Sequence, residues 1–220
     1  MNTRSSTRVS PGSRARGTRA AGALTPARAR RRRFGALVAI AATALFVLWV
    51  APRINHVVRD LTLPLHDAGV IRAEAREKHL DPALIAAVIF AETKFKPRTS
   101  VTGAEGLMQI EPATADFLAH LSDGYAFTTS DLATPSINIA YGSYYLRYLL
   151  DHYDGDEMLA VAAYNGGLAN VDRWVAAARA QGHQLTVAEI PFGQTRAYVH
   201  KVLVAEREYR SDYAAALGLS

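Results

Sequence analysis

Ten consecutive residues, Pro82 to Ala91 (PALIAAVIFA), carry no polar side chain, and the eleventh is a glutamate. A helix that is apolar on every side has no face to give to water, so this segment predicts a helix sunk in a core and wrapped by others. Its start is marked by Asp81-Pro82, an acidic cap followed by a proline whose missing N–H costs nothing in the first turn. The elements around it read as helices too. Asp67 to Leu80 carries Val70, Ile71, Ala73, Ala75 and Leu80 among charges. Pro112 and Pro135 are placed to open two more helices, and Ile137, Ala140, Tyr141, Tyr144, Tyr148 and Leu149 share one helical face. Asp154-Gly155-Asp156 is a turn, a helix through Met158 and Val161 ends at Gly166-Gly167, and Val171, Trp174 and Val175 mark the next. Thr195 to Glu206 opens a last long helix. Strand-like alternation is confined to a possible short hairpin around 98–110. The expected class is therefore mainly α, with at most a token sheet.

Charge divides the 220-residue chain. Residues 1–33 hold ten arginines and no acid, whereas the remainder holds 15 basic and 20 acidic residues, so the formal net charge of +5 describes neither part. The arginine-rich stretch has too few large apolar groups to offset its ordering entropy and is expected to be a disordered tail. Nucleic-acid binding is the obvious reading of such an arm, but the next segment argues for a membrane. Phe34 to Pro52 is 19 residues without a charge, roughly 28 Å as a helix, close to a bilayer's hydrocarbon thickness. Arg30 to Arg33 abut its N-terminal end and Trp49 sits at the interfacial position, which keeps the tail inside and exports the residues after Arg53. The run is long for a signal peptide and offers no good cleavage site, so an uncleaved single-pass anchor is favoured. The expected layout is tail 1–33, anchor 34–52, spacer 53–65 and an exported domain 66–220. The absence of cysteine excludes disulfides, a thiolate nucleophile and Cys-ligated metal.

Glu92 is the first ionisable group after Asp81. If it stays inside, burial raises its pKa and makes it a general acid; if the helix surfaces there, it simply solvates. The residues alone leave both open. Farther on, Gly103-Ala104-Glu105-Gly106-Leu107-Met108-Gln109-Ile110 is a glycine-punctuated stretch that permits close backbone approach. Tyr164-Asn165 stands at a helix end beside two glycines. An acid, amides and an aromatic on glycine-shaped loops suit a polyhydroxylated ligand, although core packing and capping account for Tyr164 and Asn165 equally well.

Five segments in this order resemble the soluble-type lytic transglycosylases: DPALIAAVIFAETKFKP (81–97), SVTGAEGLMQIEPATA (100–115), NIAYGSYYL (138–146), AVAAYNGG (160–167) and PFGQTRAYVHKV (191–202). The resemblance runs from about His66 to Ala205. It implies a lysozyme-like fold and cleavage of the β-1,4 bond between N-acetylmuramic acid and N-acetylglucosamine in peptidoglycan, closing a 1,6-anhydro ring. It also implies Glu92 as the sole acid/base, with Ser100, Gln109, Tyr164 and Asn165 at active-site positions and Met108 in the cleft. Neither a metal nor a cofactor is implied, and the seven histidines, none in a close ligand pair, read as surface or structural. The partners expected are peptidoglycan glycan strands and, through the N-terminal helix, a membrane.

Three positions depart from the pattern. Thr93 replaces the usual Ser and keeps its hydroxyl. Gln194 replaces a Glu, a change expected to touch local structure and not chemistry. Glu111 stands where Met is common and where the related goose-type lysozymes carry an acid thought to hold a water for inverting hydrolysis. Facing the cleft, it would favour a hydrolase; before Pro112, it would support a helix N-terminus. A non-catalytic wall-binding scaffold is the remaining alternative.

Overall fold

The computed structural model describes residues 34–35, 38–41, 43–50, 61–121 and 128–219, in two units, 1–54 and 55–220. In the first unit the described residues are helical, and Ile40, Leu45, Phe46, Leu48 and Trp49 are exposed. Among the described residues no helix is long and apolar enough to cross a membrane. The arginine-rich tail, residues 36, 37 and 42 of the expected anchor, and its end with the first part of the spacer, 51–60, lie outside the described residues.

The described residues of the second unit are mainly helical. Its helices are α1 (Ala68–Glu77), α2 (Pro82–Thr93), α3 (Pro112–Leu121), α4 (Pro135–His152), α5 (Glu157–Gly166), α6 (Leu168–Ala180), α7 (Gly193–Asp212) and α8 (Ala214–Leu217), with 3-10 turns at Thr129–Ala133 and Val187–Glu189. The boundaries follow from local chemistry. Asp81 and Asp156 each accept a first-turn backbone N–H, from Ala83 and Leu159, and Pro82, Pro112 and Pro135 open their helices. Gly167, at φ +83°, turns the chain from α5 into α6.

The continuous apolar run is the centre of the molecule. Ala83 to Ile89 of α2 are all buried, packed chiefly against α7 and also against α1, while α5 lies on α4, α6 and α7. The expected hairpin is reduced to one antiparallel bridge, Glu105 with Ile110, whose two N–H···O bonds measure 2.9 and 3.0 Å. Among the described residues there is no strand. The spacer's end belongs to the domain: Leu63 is buried in the core, and the hydroxyls of Tyr209 and Tyr213 donate to the carbonyls of Pro64 and Leu63 at 2.6 and 2.8 Å. The folded unit thus begins before residue 66.

Candidate active site

A cleft of about 480 Å³ opens where the C-terminal end of α2, the 98–110 loop, the start of α3, the middle of α4 and the α5–α6 junction meet. Glu92, Ser100, Gln109, Glu111, Tyr164 and Asn165 all line it, together with Thr114, Tyr145 and Gln194. Six of the seven residues singled out in the sequence are therefore brought together, although they come from distant parts of the chain.

The loop that forms one wall is tied down along residues 105–108. Thr93 donates its hydroxyl to the Leu107 carbonyl at 2.7 Å, which shows why a hydroxyl is kept there. Asn138 of α4, fully buried, accepts from the Met108 N–H at 2.7 Å and donates to the Glu105 carbonyl at 2.9 Å. Gly106 (φ +77°) lies so close to Asn138 and the Leu132 carbonyl that an added Cβ would come within 2.2 and 2.6 Å of them. Only glycine fits.

Met108 departs from expectation. Its side chain is fully buried, filling the space over Gly142, so it backs the wall instead of lining the cleft. An apolar thioether between two helices and a loop finds its partners inside. Its backbone still serves the site, because Tyr164 donates its hydroxyl to the Met108 carbonyl at 2.9 Å. Gln109, at φ +49°, donates its amide N–H groups to the Arg98 and Gly106 carbonyls at 2.7 and 2.9 Å, which fixes the orientation of its side-chain amide at the cleft. Ser100 accepts from the Ala104 N–H and meets Thr102 at 2.9 Å. Asn165 accepts from Thr195 at 2.9 Å, which orients its NH2 group. Gln194, expected to touch only local structure, lines the cleft.

For Glu92 the structure decides between burial and solvation. It is the last cleft residue of a buried helix, and burial raises its carboxyl pKa, opposed by the Tyr198 hydroxyl and then by the Lys201 and Arg98 charges. Tyr198, on α7, is buried, and its hydroxyl acts on Glu92 against the effect of burial without cancelling it. Burial and then the Glu92 charge push Tyr164 well above its ordinary range, so it stays a neutral donor. Glu111 faces the cleft and, after burial and Tyr148, its charge raises Tyr145, which is pushed up to about 12. Tyr145 packs against Tyr164, ring centres 5.3 Å apart, and forms the aromatic floor. In the sequence Thr195 and Tyr198 mark only the last long helix and Tyr145 nothing by itself; that Thr195, Tyr198 and Lys201 recur at helical spacing is a signal the residues do carry.

The arrangement supplies one partly shielded carboxylic acid, amide and hydroxyl groups at fixed angles, and an aromatic surface, which suits proton transfer to and from a carbohydrate. Among the described residues no three His, Asp or Glu side chains are close enough to hold a metal ion.

A family model described as the transglycosylase SLT domain matches residues 69–187. Over 151 residues the chain is 30% identical to the soluble lytic murein transglycosylase of Escherichia coli K12, covering 67% of this chain and 23% of that protein. A lytic transglycosylase of Pseudomonas aeruginosa, solved as an inactive glutamate-to-glutamine mutant, superposes with a TM-score of 0.65 at 28% identity, covering 86% of this chain and 33% of that one. A 70-kDa soluble lytic transglycosylase in complex with bulgecin A does so at 0.63 and 28%, covering 69% and 25%. The chain thus spans about a quarter of the length of the curated relatives it matches.

Proposed function

We propose, from the premise that this chain belongs to the transglycosylase SLT domain family, that it is a peptidoglycan lytic transglycosylase. Its substrate is the β-1,4 bond between N-acetylmuramic acid and N-acetylglucosamine, and its product end is 1,6-anhydromuramic acid. The observation that carries the reading is Glu92: a half-buried carboxyl with a raised pKa in the last turn of a buried helix, lining a polar cleft.

Glu92 in its acid form gives its proton to the bridging oxygen as the bond from that oxygen to the anomeric carbon breaks. The muramic acid's own N-acetyl oxygen closes on the anomeric carbon, the substrate-assisted variant of glycoside cleavage. Glu92, now ionised, takes the proton from the 6-hydroxyl, whose oxygen displaces the N-acetyl oxygen and closes the ring. No water is consumed, and the acid is regenerated. In this reading Ser100 and the NH2 group of Asn165 orient the N-acetyl and hydroxymethyl groups, and Tyr164 holds the loop against α5. The Pseudomonas aeruginosa relative, inactive after a glutamate-to-glutamine change, is in keeping with dependence on one glutamate.

One observation favours a second reading. Glu111 lines the cleft; in this reading its carboxylate activates water, and the product is a hydrolysed and not an anhydro end. The uncharged run 34–52 and the flanking arginines support a single-pass anchor with the N-terminus inside and the catalytic domain on the outer face of the cytoplasmic membrane.

The test is Glu92→Gln in the full chain, incubated with purified peptidoglycan. Release of soluble fragments drops at least about a hundredfold while thermal unfolding is unchanged. Fragment release that survives the substitution in a folded protein removes Glu92 from the mechanism.

A further inference from the structure

The C-terminal end of a helix leaves its last four carbonyls without helical partners and gathers the negative pole of the macrodipole. Glu92 sits in that last turn of α2, where a negative charge is least welcome. All four carbonyls are nevertheless met. The Phe90 and Thr93 oxygens accept backbone N–H groups from Lys94 and Lys96, each at 3.1 Å. The Glu92 oxygen accepts from the Arg98 guanidinium at 3.0 Å, and the Ala91 oxygen from the Lys201 ammonium at 2.6 Å. Lys201 arrives from α7, 110 positions along the chain, with its Nζ 5.3 Å from the centre of the Phe90 ring. A hydrogen bond and a cation–π contact on successive residues fix where its charge stands.

We infer that Lys201 is a positioning residue for Glu92: bonded to the Ala91 carbonyl and seated on the Phe90 ring, it anchors the carboxylate-bearing end of α2 and fixes a positive charge there. The inference rests on the reading of Glu92 as an acid that becomes a base. Burial by itself favours only the acid, and a carboxyl that never ionised could not accept the 6-hydroxyl proton. The groups that face Glu92 are Tyr198 and Lys201 from α7, Arg98 from the following loop and Tyr164 from α5, and Lys94 lies beside Lys201. Of the two cations, Arg98 is exposed and screened by solvent, whereas Lys201 is half-buried and held at two points. Lys201 therefore carries the larger and less salt-sensitive share.

The experiment uses the full chain labelled with carbon-13 at glutamate side-chain carboxyls, the Glu92 signal being assigned by its loss in Glu92→Gln. Its titration is followed by NMR in the wild type, Lys201→Met, Lys201→Gln and Lys201→Arg. Lys201→Met moves the Glu92 midpoint to higher pH by roughly half a unit or more, Lys201→Arg restores most of the displacement, and Lys201→Gln, which keeps a donor for Ala91 but no charge, behaves like Lys201→Met. The alkaline limb of kcat/KM for peptidoglycan cleavage moves in the same direction. A Glu92 midpoint unmoved in folded Lys201→Met or Lys201→Gln, or moved as far by Lys201→Arg, overturns the inference. A wild type that leaves peptidoglycan intact while Glu92 still responds to Lys201→Met overturns the lytic reading and leaves the electrostatic coupling standing, so the two failures are distinguishable.

Discussion

Asn138 contributes nothing to the cleft surface, yet it governs the wall that carries Gln109. Both ends of its buried amide are bonded to the 105–108 backbone, and Gly106 is pressed against it. Asn138→Leu would leave the Met108 N–H and the Glu105 carbonyl without partners and force a branched side chain onto Gly106. A loss of about 2–4 kcal/mol is expected, read as a lower midpoint in urea unfolding, with cleavage falling in parallel. A variant as stable as the wild type would show that the loop is held elsewhere. None of this was legible from the segment NIAYGSYYL, in which Asn138 looked like one polar position on a helix. Its partners are distant in the chain, and no local periodicity reports them. Met108 departs for the complementary reason: the resemblance implied a cleft position, but its side chain is taken up by packing against Gly142 across the fold, which no local pattern reports. Residues whose neighbours are defined by helix chemistry, such as Asp81 and Pro82, were readable; those defined by packing across the fold were not.

At the scale of elements, α2 is the organising piece, and its apolar run made it readable from the sequence alone. The run could not reveal how its two ends are held to α7. One end carries the Lys201 contact. At the other, the Arg210 guanidinium pairs with the capping Asp81 at 2.5 Å and with buried Glu206, and Glu206 in turn meets Glu157 at the start of α5. Burial, then the Glu206 contact and charge, hold Glu157 up to about 8. Glu157 thus keeps a proton in the fold that it releases in the unfolded chain above its ordinary range near 4.5. Stability consequently falls as pH rises between those values, with a slope approaching about 1.4 kcal/mol per unit, and levels off above the folded value. Glu157→Gln removes that window: its unfolding midpoint should match the wild type near pH 4.5 and exceed it near pH 8. Parallel pH profiles for the two proteins would mean that the proton is held elsewhere.

For the whole molecule, a domain with a surplus of acids is joined to a tail of ten arginines through the uncharged run 34–52. That layout was read from composition alone, because bilayer thickness and charge asymmetry need no tertiary information. With the proposed single-pass anchor, a short spacer limits reach, and cleavage is expected on glycan close to the membrane. In cells the full chain should remain with membranes through alkaline carbonate extraction, with its C-terminal domain open to protease only from outside. Recovery in the soluble fraction would remove the anchor.

The central claim is that Glu92 closes a ring without water, and the mass of the products tests it most directly. The full chain should release muropeptides from purified peptidoglycan whose muramic ends are one water lighter than those of a hydrolase, throughout the digestion. Muramic ends carrying the added water from the earliest time points would contradict it and place the carboxylate of Glu111 in the reaction.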